Sequence, residues 1–517
     1  MQKILIANRG EIAIRVARAC RDLGLRSVAV FSECDRAARH VRAADEAVAI
    51  GPSPPAESYL RIDRIVEAAL ASGADAVHPG YGFLSENPRF SAACLDAGLT
   101  FIGPPPGVVA RMGSKTEARD AAIAAGVPVV PGSDARFTPD ASDAAIAEAA
   151  ARIGFPVMVK AVAGGGGKGM RVVVRPEDLP GAIRAARSEA STSFGDAAVY
   201  LERRIERPRH IEVQVLADQH GTVVPFVERE CSIQRRHQKV IEESPSAVVS
   251  PALRARLAGA ARAVAASVGY VNAGTIEFLV DADERFYFLE MNTRLQVEHP
   301  VTELVTGVDL VAWQIRIARG EPLTIAPASA LTPRGHAIEC RVYAEDPDAG
   351  FLPSPGTIAA IRVPDGPGIR DDSGVGPGSA ITVYYDSLLS KLASWGEDRP
   401  QAIARMARAL DEYDVLGVKT SLPFLRWMLA EPAFAAAAFH TEYLDGLLQQ
   451  RGGGAFGTWQ VSQEEVAAIA AAVHEAMCRE AAGASRPAAP GTAVPLGSGG
   501  GGGSAWKRAG RLEGLRP

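Results

Sequence analysis

The sequence predicts a multidomain protein of the α/β and α+β classes. A doubly wound parallel sheet comes first, a central domain of strands and hairpins follows, and a mixed α+β domain closes the folded body. Three observations carry this reading. Through the first hundred residues, short apolar strands alternate with stretches of helical periodicity, the signature of a parallel sheet wrapped by helices. Beyond about residue 155, strands follow strands across glycine-rich or polar turns, which favours hairpins. The 517 residues exceed what one hydrophobic core organises, so three or more domains are expected.

The first segment opens with strand Lys3–Ala7, a turn at Asn8-Arg-Gly10 and a helix from Glu11, whose apolar positions Ile12, Val16, Ala19 and Cys20 follow helical spacing. Strand Ser27–Phe31, a helix over 58–71, a strand over 74–77, the turn His78-Pro-Gly-Tyr-Gly-Phe83, a helix over 88–97 and a strand over 99–102 complete the alternation. Ligands of doubly wound sheets gather at the carboxyl ends of the strands, so Asn8–Glu11 and His78–Glu86 lie where chemistry is expected. A plain reading, tight strand-to-helix turns, stays open for Asn8–Glu11. The two glycines of Gly80-Tyr-Gly-Phe83 favour close backbone approach to a ligand.

After a helix over 115–125 and another over 140–153, strand Pro156–Ala161 enters Val162-Ala-Gly-Gly-Gly-Gly-Lys-Gly169. Gly164, Gly166 and Gly169 satisfy the dinucleotide glycine spacing, yet a strand, Met170–Val174, follows where that motif must open a helix. Gly169 also stands where a phosphate loop needs Ser or Thr after Lys168. Strand, glycine loop, strand reads instead as a hairpin flap over phosphates, with a flexible connector as the plain alternative. Lys160, inside the apolar strand, needs a buried partner such as a phosphate.

A helix over 177–190 and strands at 198–202, 211–216 and 223–228 lead to Arg229-Glu-Cys-Ser-Ile-Gln-Arg-Arg-His-Gln-Lys-Val240. Arg229, Arg235, Arg236, His237 and Lys239 concentrate cationic side chains in a chain of net charge −5, as expected of an anion site. A helix over 251–268 precedes strands Thr275–Val280 and Phe286–Leu289, joined by residues 281–285. With the turn centred on Asp283-Glu284, Glu277 falls opposite Glu290. Facing cross-strand Cβ atoms lie roughly 5 Å apart, so two like charges there need neutralisation. Glu277, Glu290 and Asn292 offer only hard oxygen donors, which suits Mg²⁺ or Mn²⁺ carrying substrate phosphates better than zinc or copper. A merely solvated acidic hairpin edge is the plain alternative, and Arg294, Gln296 and Glu298 directly behind it argue against that.

The third region follows a helix over 309–319 and a proline- and alanine-rich seam at 320–335. It begins at Gly335–Arg341 and holds short strands near 357–363, 369–371 and 380–385, the segment Tyr384-Tyr-Asp-Ser387, and helices over 399–411 and 421–430. Ser462-Gln-Glu-Glu465 has capping-box spacing before an alanine-rich helix to about 482. Residues 483–504 read as a glycine-rich linker, and a short basic terminus follows, either a docking peptide or a plain tail. The domain limits expected are 1–113, 114–325 with a flap subdomain at about 131–204, 326–447, and a tail over 448–517.

Hydrophobic content of 47% and charged content of 22% are globular values, and the net charge of −5 argues against nucleic acid as a primary partner. The six cysteines lack any paired spacing, which fits free thiols in a reducing compartment. Without signal-peptide architecture or an apolar run near the roughly 20 residues of a membrane span, a cytoplasmic protein without membrane association is expected.

With these residues in view, the chain from Lys3 to about Leu447 closely resembles biotin carboxylase, an ATP-grasp ligase. The matching stretches are IANRGEIA, HPGYGFLSEN, MGSK, VMVKA with its glycine loop, PRHIEVQV, ERECSIQRRHQK, MNTRLQVEHPVTE, HAIECRVYAEDP, FLPSPG and YYDSLLSKL. The resemblance implies an N-terminal biotin carboxylase domain, a central ATP-grasp domain and a biotin carboxylase C-terminal domain. It implies that Lys115, Lys160, Gly165, Gly166, Gly167, Met170, Glu202, His210, Gln234 and His237 bind nucleotide. Glu277 and Glu290, with Asn292, would hold Mg²⁺ or Mn²⁺, and bicarbonate would sit against Lys239, Arg294, Gln296 and the Val297 backbone. Glu298 resembles the general base, Arg341 the group that stabilises the enolate of biotin, and Tyr81, Gly82 and Phe83 the contacts on the biotin side. Arg203, where relatives often carry lysine, is a mild departure.

None of the eight methionines adjoins a lysine, as a biotinyl site requires, so the biotin is expected on a separate carrier protein. Carboxyltransferase subunits are expected as further partners, and a homodimer is implied by the resemblance. The expected function is that of one component of an acyl-CoA carboxylase. Alternatives are a component of a 2-oxo acid carboxylase, another ATP-grasp ligase, and a nucleotide-binding paralogue without catalysis. Another ligase would lack HPGYGFLSEN and YYDS, and a dead paralogue would have lost Glu298, Arg341, Lys239 or a metal carboxylate.

Overall fold

The computed structural model describes residues 1–133, 136–162, 170–456, 469–475 and 477. They fall in two compact units, 1–456 and 457–517, and in the second residues 469–475 are helical. The linker at 483–504 and the basic terminus lie outside the described residues.

Strands β1 (Lys3–Ile6), β2 (Arg26–Ser32), β3 (Glu46–Gly51), β4 (Ala76–His78) and β5 (Thr100–Phe101) form a parallel sheet in the order β3-β2-β1-β4-β5. Alternation along β1 sends Ile4 and Ile6 to one face, packed with Ile12 and Val16 of helix Gly10–Asp22. Leu5 points to the other face, with Val28, Val77, Ile65 and Phe90. The strand order reverses between β1 and β4, so the turns that follow those strands flank one crevice. Asn8 ties them together, its Nδ2 donating to the Pro79 and Tyr81 carbonyls at 2.8 Å each. Gly80, at φ +63°, is required there: a Cβ would lie 2.8 Å from the Asn8 amide nitrogen. Helix Arg39–Ala43 and strand β3 have no counterpart in the pattern read from sequence. β3 is a half-exposed edge strand of six residues, with Ala47 and Ala49 outward and Val48 and Ile50 inward.

A second sheet, β7-β6-β8, is antiparallel and comprises β6 (Val157–Ala161), β7 (Met170–Val173) and β8 (Val199–Arg203). Helices Asp143–Ile153 and Leu179–Phe194 cover it through Ile146, Val159, Ile183 and Leu201. The glycine loop it would hold, including Gly165, Gly166 and Gly167, lies outside the described residues.

The largest sheet has nine strands and carries the site. It contains β9 (Arg209–Ala217), β10 (Val223–Pro225), β11 (Arg229–Arg235), β12 (Gln238–Ser244), β13 (Asn272–Val280), β14 (Phe286–Asn292) and β15 (His336–Tyr343). The path β14-β13-β9-β11-β12-β15 continues into strands Leu388–Gly396 and Ile369–Ser373, while β10 pairs with β9. Because β12 pairs directly with β15, the sheet runs unbroken past the proline-rich stretch at 320–335. Helices Lys115–Ala124 and Pro251–Ser267 cover its central strands. Helices Arg399–Glu412 and Leu422–Ala430 cover the last ones.

The strand expected at 380–385 is only Ala380–Ile381; Val383–Tyr385 turn away, and Tyr385 packs against Tyr59 with its hydroxyl 2.6 Å from Ser32 Oγ. Cys20, Cys34, Cys94, Cys231 and Cys340 are free thiols. Among the described residues no helix is long and apolar enough to cross a membrane.

Candidate active site

The acidic hairpin pairs as the turn-centred register requires, and for an additional reason. Phe278 faces Phe288 and Val280 faces Phe286, a register centred on Asp283 alone. A bulge between Glu277 and Phe278 then shifts the pairing by one, so Glu277 faces Glu290 and Thr275 faces Asn292. Glu277 is buried and accepts from Lys239 Nζ at 2.9 Å, Asn292 Nδ2 at 2.8 Å and Gln296 Nε2 at 3.1 Å, with His210 Nε2 at 3.0 Å. Burial alone would raise its carboxyl, but Lys239 and His210 outweigh burial and hold it far below the usual carboxylate range. In return His210, which burial would push down, is raised by Glu277.

Glu290 is the contrasting member. It is enclosed by protein yet open to solvent on the cleft side, and among the described residues its side chain makes no hydrogen bond or ion pair. Burial and the Glu277 charge together raise it. A second carboxylate, unpaired and facing the first across a hairpin, is the arrangement a hard divalent cation relieves. The Asn292 oxygen is engaged by Arg294 Nη2 at 3.2 Å.

Beside the hairpin a second group of charges converges on Glu298, which sits fully buried where the β14 loop enters helix His299–Thr306. Lys239 Nζ donates to one of its oxygens at 2.6 Å and Arg341 Nη2 to the other at 2.9 Å. Burial would raise this carboxyl; Lys239, Arg341 and Arg229 outweigh it and hold it well below the ordinary range. Lys239 is in turn shared with Glu212 at 2.5 Å, and Arg341 Nε donates to Glu242 at 2.6 Å. Glu212, which sequence reasoning missed, alternates into the interior of β9 like any core position; only the register of β9 against β13, with Glu212 facing Glu277, gives it away.

The cationic stretch 229–240 divides once folded. β11 and β12 form a hairpin whose turn, Arg236-His237, takes positive φ of 51° and 65°. Lys239 and His237 line the cleft. Arg229 turns into the core, fully buried, bound to Glu212, Gln214, Thr275 and Thr302. Arg235 pairs with Glu345 at 2.9 Å over the Phe351 ring. Those two arginines are structural ties, which corrects their reading as anion ligands.

A cleft of about 750 Å³ joins these parts. Lys115, Lys160, Met170, Glu202 and Gln234 are among its lining, as are Arg119, Tyr200 and Met158. Lys160 finds its buried partner within the protein, Glu202, to which Arg119 Nη1 also donates at 3.5 Å. Burial and the nearby Lys160 lower Lys115. Glu277, Glu290, Asn292, Lys239 and His210 line it too, together with Arg294, Gln296, Val297 and Arg341. Arg294 Nη1 donates to Gln296 Oε1 at 3.0 Å, and its Nε donates to Glu86 at 2.8 Å, which fastens the loop after β14 to the turn after β4.

Tyr81, Gly82 and Phe83 are outside the lining of this cleft. Phe83, at a positive φ of 43°, stacks on Tyr59 with centroids 5.0 Å apart. Tyr81 lies toward Lys391, whose Nζ is 5.6 Å from its ring centroid.

A parallel-sheet domain joined to a large antiparallel sheet, with a metal-type carboxylate pair beside a cleft rich in lysine and arginine, fits the class of ATP-dependent ligases. The comparisons make the class specific. Residues 1–109 match the family described as biotin carboxylase, N-terminal domain, residues 114–326 match carbamoyl-phosphate synthase L chain, ATP binding domain, and residues 339–446 match biotin carboxylase C-terminal domain. The chain belongs to the biotin carboxylase family of ATP-grasp ligases.

The biotin carboxylase of Halalkalibacterium halodurans is 50% identical over 87% of this chain and 99% of its own length. That of Nostoc is 51% identical over 86% of this chain and 98% of its own length. The crystal structure of a biotin carboxylase–ATP-analogue complex from Campylobacter jejuni superposes with a TM-score of 0.83 at 46% identity, covering 86% of this chain and 98% of that one. The biotin carboxylase domain dimer of Hydrogenobacter thermophilus 2-oxoglutarate carboxylase, with MgADP, ADP and bicarbonate, gives a TM-score of 0.82 at 45% identity, covering 89% and 99%.

Proposed function

We propose that the chain uses MgATP to carboxylate biotin with bicarbonate, the biotin being held on a separate carrier protein, and that it serves as one component of an acyl-CoA carboxylase together with carboxyltransferase subunits. The observation that carries the carboxylation reading is the convergence of Lys239 and Arg341 on the buried Glu298 carboxylate, next to the facing pair Glu277 and Glu290. Domain limits at 1–113, 114–325 and 326–447, with the tail beyond, accompany the proposal, supported by the matched segments. A homodimer is proposed by analogy with the 2-oxoglutarate carboxylase domain dimer.

Lys115, Lys160, Glu202, Gln234 and His237 take the nucleotide end of the cleft, where lysines face phosphate oxygens. Glu277 and Glu290, with Asn292, fit Mg²⁺ or Mn²⁺ by donor chemistry, and the unpaired Glu290 carboxylate is the group such an ion would neutralise. When bound, the ion supplies charge neutralisation of the transferring phosphate. Bicarbonate is placed between Lys239, Arg294, Gln296 and the Val297 backbone, Arg294 presenting its planar fork to two oxygens.

Glu298 takes the bicarbonate proton from the oxygen that attacks the γ-phosphorus, and ADP leaves. Its low proton affinity in the free enzyme is set by Lys239 and Arg341. An anion that takes over part of the Lys239 charge raises that affinity when the base is needed. The carboxyphosphate formed separates into CO₂ and phosphate, and the phosphate accepts the ureido proton. Arg341 stabilises the enolate oxygen, and the ureido nitrogen bonds to CO₂.

The test is phosphate release by the isolated chain with and without bicarbonate and biotin, followed by carboxyl transfer from added carrier in the presence of candidate transferases. Release that depends on both small molecules, with free biotin a poor substrate, is expected. Release indifferent to both overturns the reading. Transfer to an acyl-CoA supports the acceptor class, in line with the methylcrotonoyl-CoA carboxylase of Mus musculus, whose subunit alpha is 47% identical over 86% of this chain. Transfer to a 2-oxo acid instead corrects it.

A further inference from the structure

Among the described residues, one lysine side chain is fully buried, and it lies outside the cleft and outside every role assigned above. Lys391, on strand Leu388–Gly396, faces Arg341 of β15 in the register, and its side chain is sealed from solvent. Its Nζ donates to the Val297 carbonyl at 3.1 Å and lies 3.2 Å from Glu11 Oε2, at an angle that leaves both Glu11 oxygens without a hydrogen bond. The same ammonium stands 5.6 Å from the Tyr81 ring centroid. Glu11 belongs to the helix start after β1 and Tyr81 to the turn after β4, so one cation joins the parallel sheet, the β14 loop and the C-terminal strands.

The Val297 carbonyl belongs to the peptide whose other end is the Glu298 Cα. A donor on that oxygen fixes the plane from which the Glu298 side chain departs. Glu298 is the N-cap of helix His299–Thr306 without a side-chain cap bond, so its backbone lacks the usual anchor and the Lys391 donor supplies one. The burial of an ammonium beside a carboxylate that it meets only off-axis is unfavourable as a stability device, which points to a geometric one.

We propose that Lys391 is a positioning residue of the carboxylation reaction, holding the Val297 carbonyl and thereby the aim of the Glu298 carboxylate, while bracing it against Glu11 and Tyr81 on the biotin-side turns. This rests on the reading of Glu298 as the base. Displacing a reacting group by about 1 Å costs on the order of 10²-fold in rate. Removing the hold is therefore expected to lower kcat/KM for bicarbonate by about 10- to 100-fold.

Lys391→Met alone removes the buried Glu11's nearest cation, leaving only the weaker pull of Arg370, so the charge-neutral pair Glu11→Gln/Lys391→Met is measured with it and with Glu11→Gln. Burial already raises the Glu11 carboxyl to about 7 against the pull of Lys391, so it takes a proton readily once the lysine is gone. Expected are a bicarbonate-specific loss in both Lys391→Met variants, MgATP dissociation constants within about twofold of wild type, and a smaller bicarbonate-specific loss for Glu11→Gln, which keeps the Lys391 donor on the Val297 carbonyl. A folded neutral double variant with wild-type kcat/KM for bicarbonate, or one that loses MgATP affinity in equal measure, overturns the proposal. Should neither methionine variant fold, Lys391→Arg replaces them: it keeps the charge but displaces the donors, and unchanged bicarbonate kinetics would again overturn it. Glu298→Gln measured in parallel separates the two ideas, because full activity there removes the base reading itself, whereas an inactive Glu298→Gln beside an unaffected Lys391 variant removes only the positioning.

Discussion

Replacing Glu298 by glutamine changes one proton-accepting group and little else. The carboxylate accepts from Lys239 at 2.6 Å and from Arg341 at 2.9 Å. A glutamine oxygen keeps one of these bonds in neutral form and turns its NH₂ toward the other cation. The loss of charge assistance at one contact and of the bond at the other amounts to about 2–4 kcal/mol of stability. Neither cation is stranded, since Lys239 keeps Glu212 and Glu277 and Arg341 keeps Glu242. The variant is therefore expected to fold.

Its turnover should fall by about 10²–10⁴-fold, the usual range for a lost general base, or roughly 3–5 kcal/mol of barrier. MgATP binding should persist, because Glu298 lies beneath the cleft wall and outside its lining. Bicarbonate- and biotin-dependent phosphate release gives the turnover, and calorimetry gives the nucleotide affinity. Near-wild-type turnover, or a loss of MgATP binding equal to the loss of rate, would refute the reasoning.

The other expectations concern the neighbouring charges. Glu290→Gln removes the unpaired carboxylate and should weaken MgATP binding, with partial recovery at high Mg²⁺ or Mn²⁺; titration calorimetry across metal concentrations reads this. Arg229→Met leaves Glu212 buried with Lys239 as its remaining hydrogen-bonded cation and should destabilise the fold by about 3–5 kcal/mol, measured as a shift in denaturant midpoint. His40 and His78 are buried, and burial holds each near 4, below the ordinary 6.5. The unfolded chain thus binds protons that the folded chain refuses, and stability should decline as pH falls from about 6.5 toward 4, by about 3 kcal/mol per histidine. Urea midpoints for His40→Gln should decline less steeply over that window than those of wild type.

Much of the site was legible because its groups are local in sequence. Glu290 to Glu298 lie on one strand end and the loop behind it, and the hairpin register could be counted from the turn. That count reached the right pair although the register nearest the turn is shifted by one, since the bulge beside Glu277 compensates, and bulges leave no signal in composition. Groups whose partners are distant in sequence were less visible. Glu212 alternates like a core strand position, and Arg229 reads as an anion ligand until the fold places Glu212, Gln214, Thr275 and Thr302 around it. Edge strand β3 sets Val48 and Ile50 on its inward face between exposed alanines, too short a run to stand out, and the pairing of β12 with β15 joins strands nearly a hundred residues apart, which no local pattern reports. Lys391 sits in the same blind spot, a lysine in an apolar strand whose partners come from three separate turns.

The central claim, that bicarbonate attacks the γ-phosphate to form carboxyphosphate before biotin is carboxylated, is tested most directly by atom bookkeeping. Turnover with bicarbonate labelled with ¹⁸O, ATP and biotin, followed by mass spectrometry of the released phosphate, should show one labelled oxygen carried from bicarbonate into each phosphate. Unlabelled phosphate, released at the rate at which carboxybiotin forms, would contradict the account.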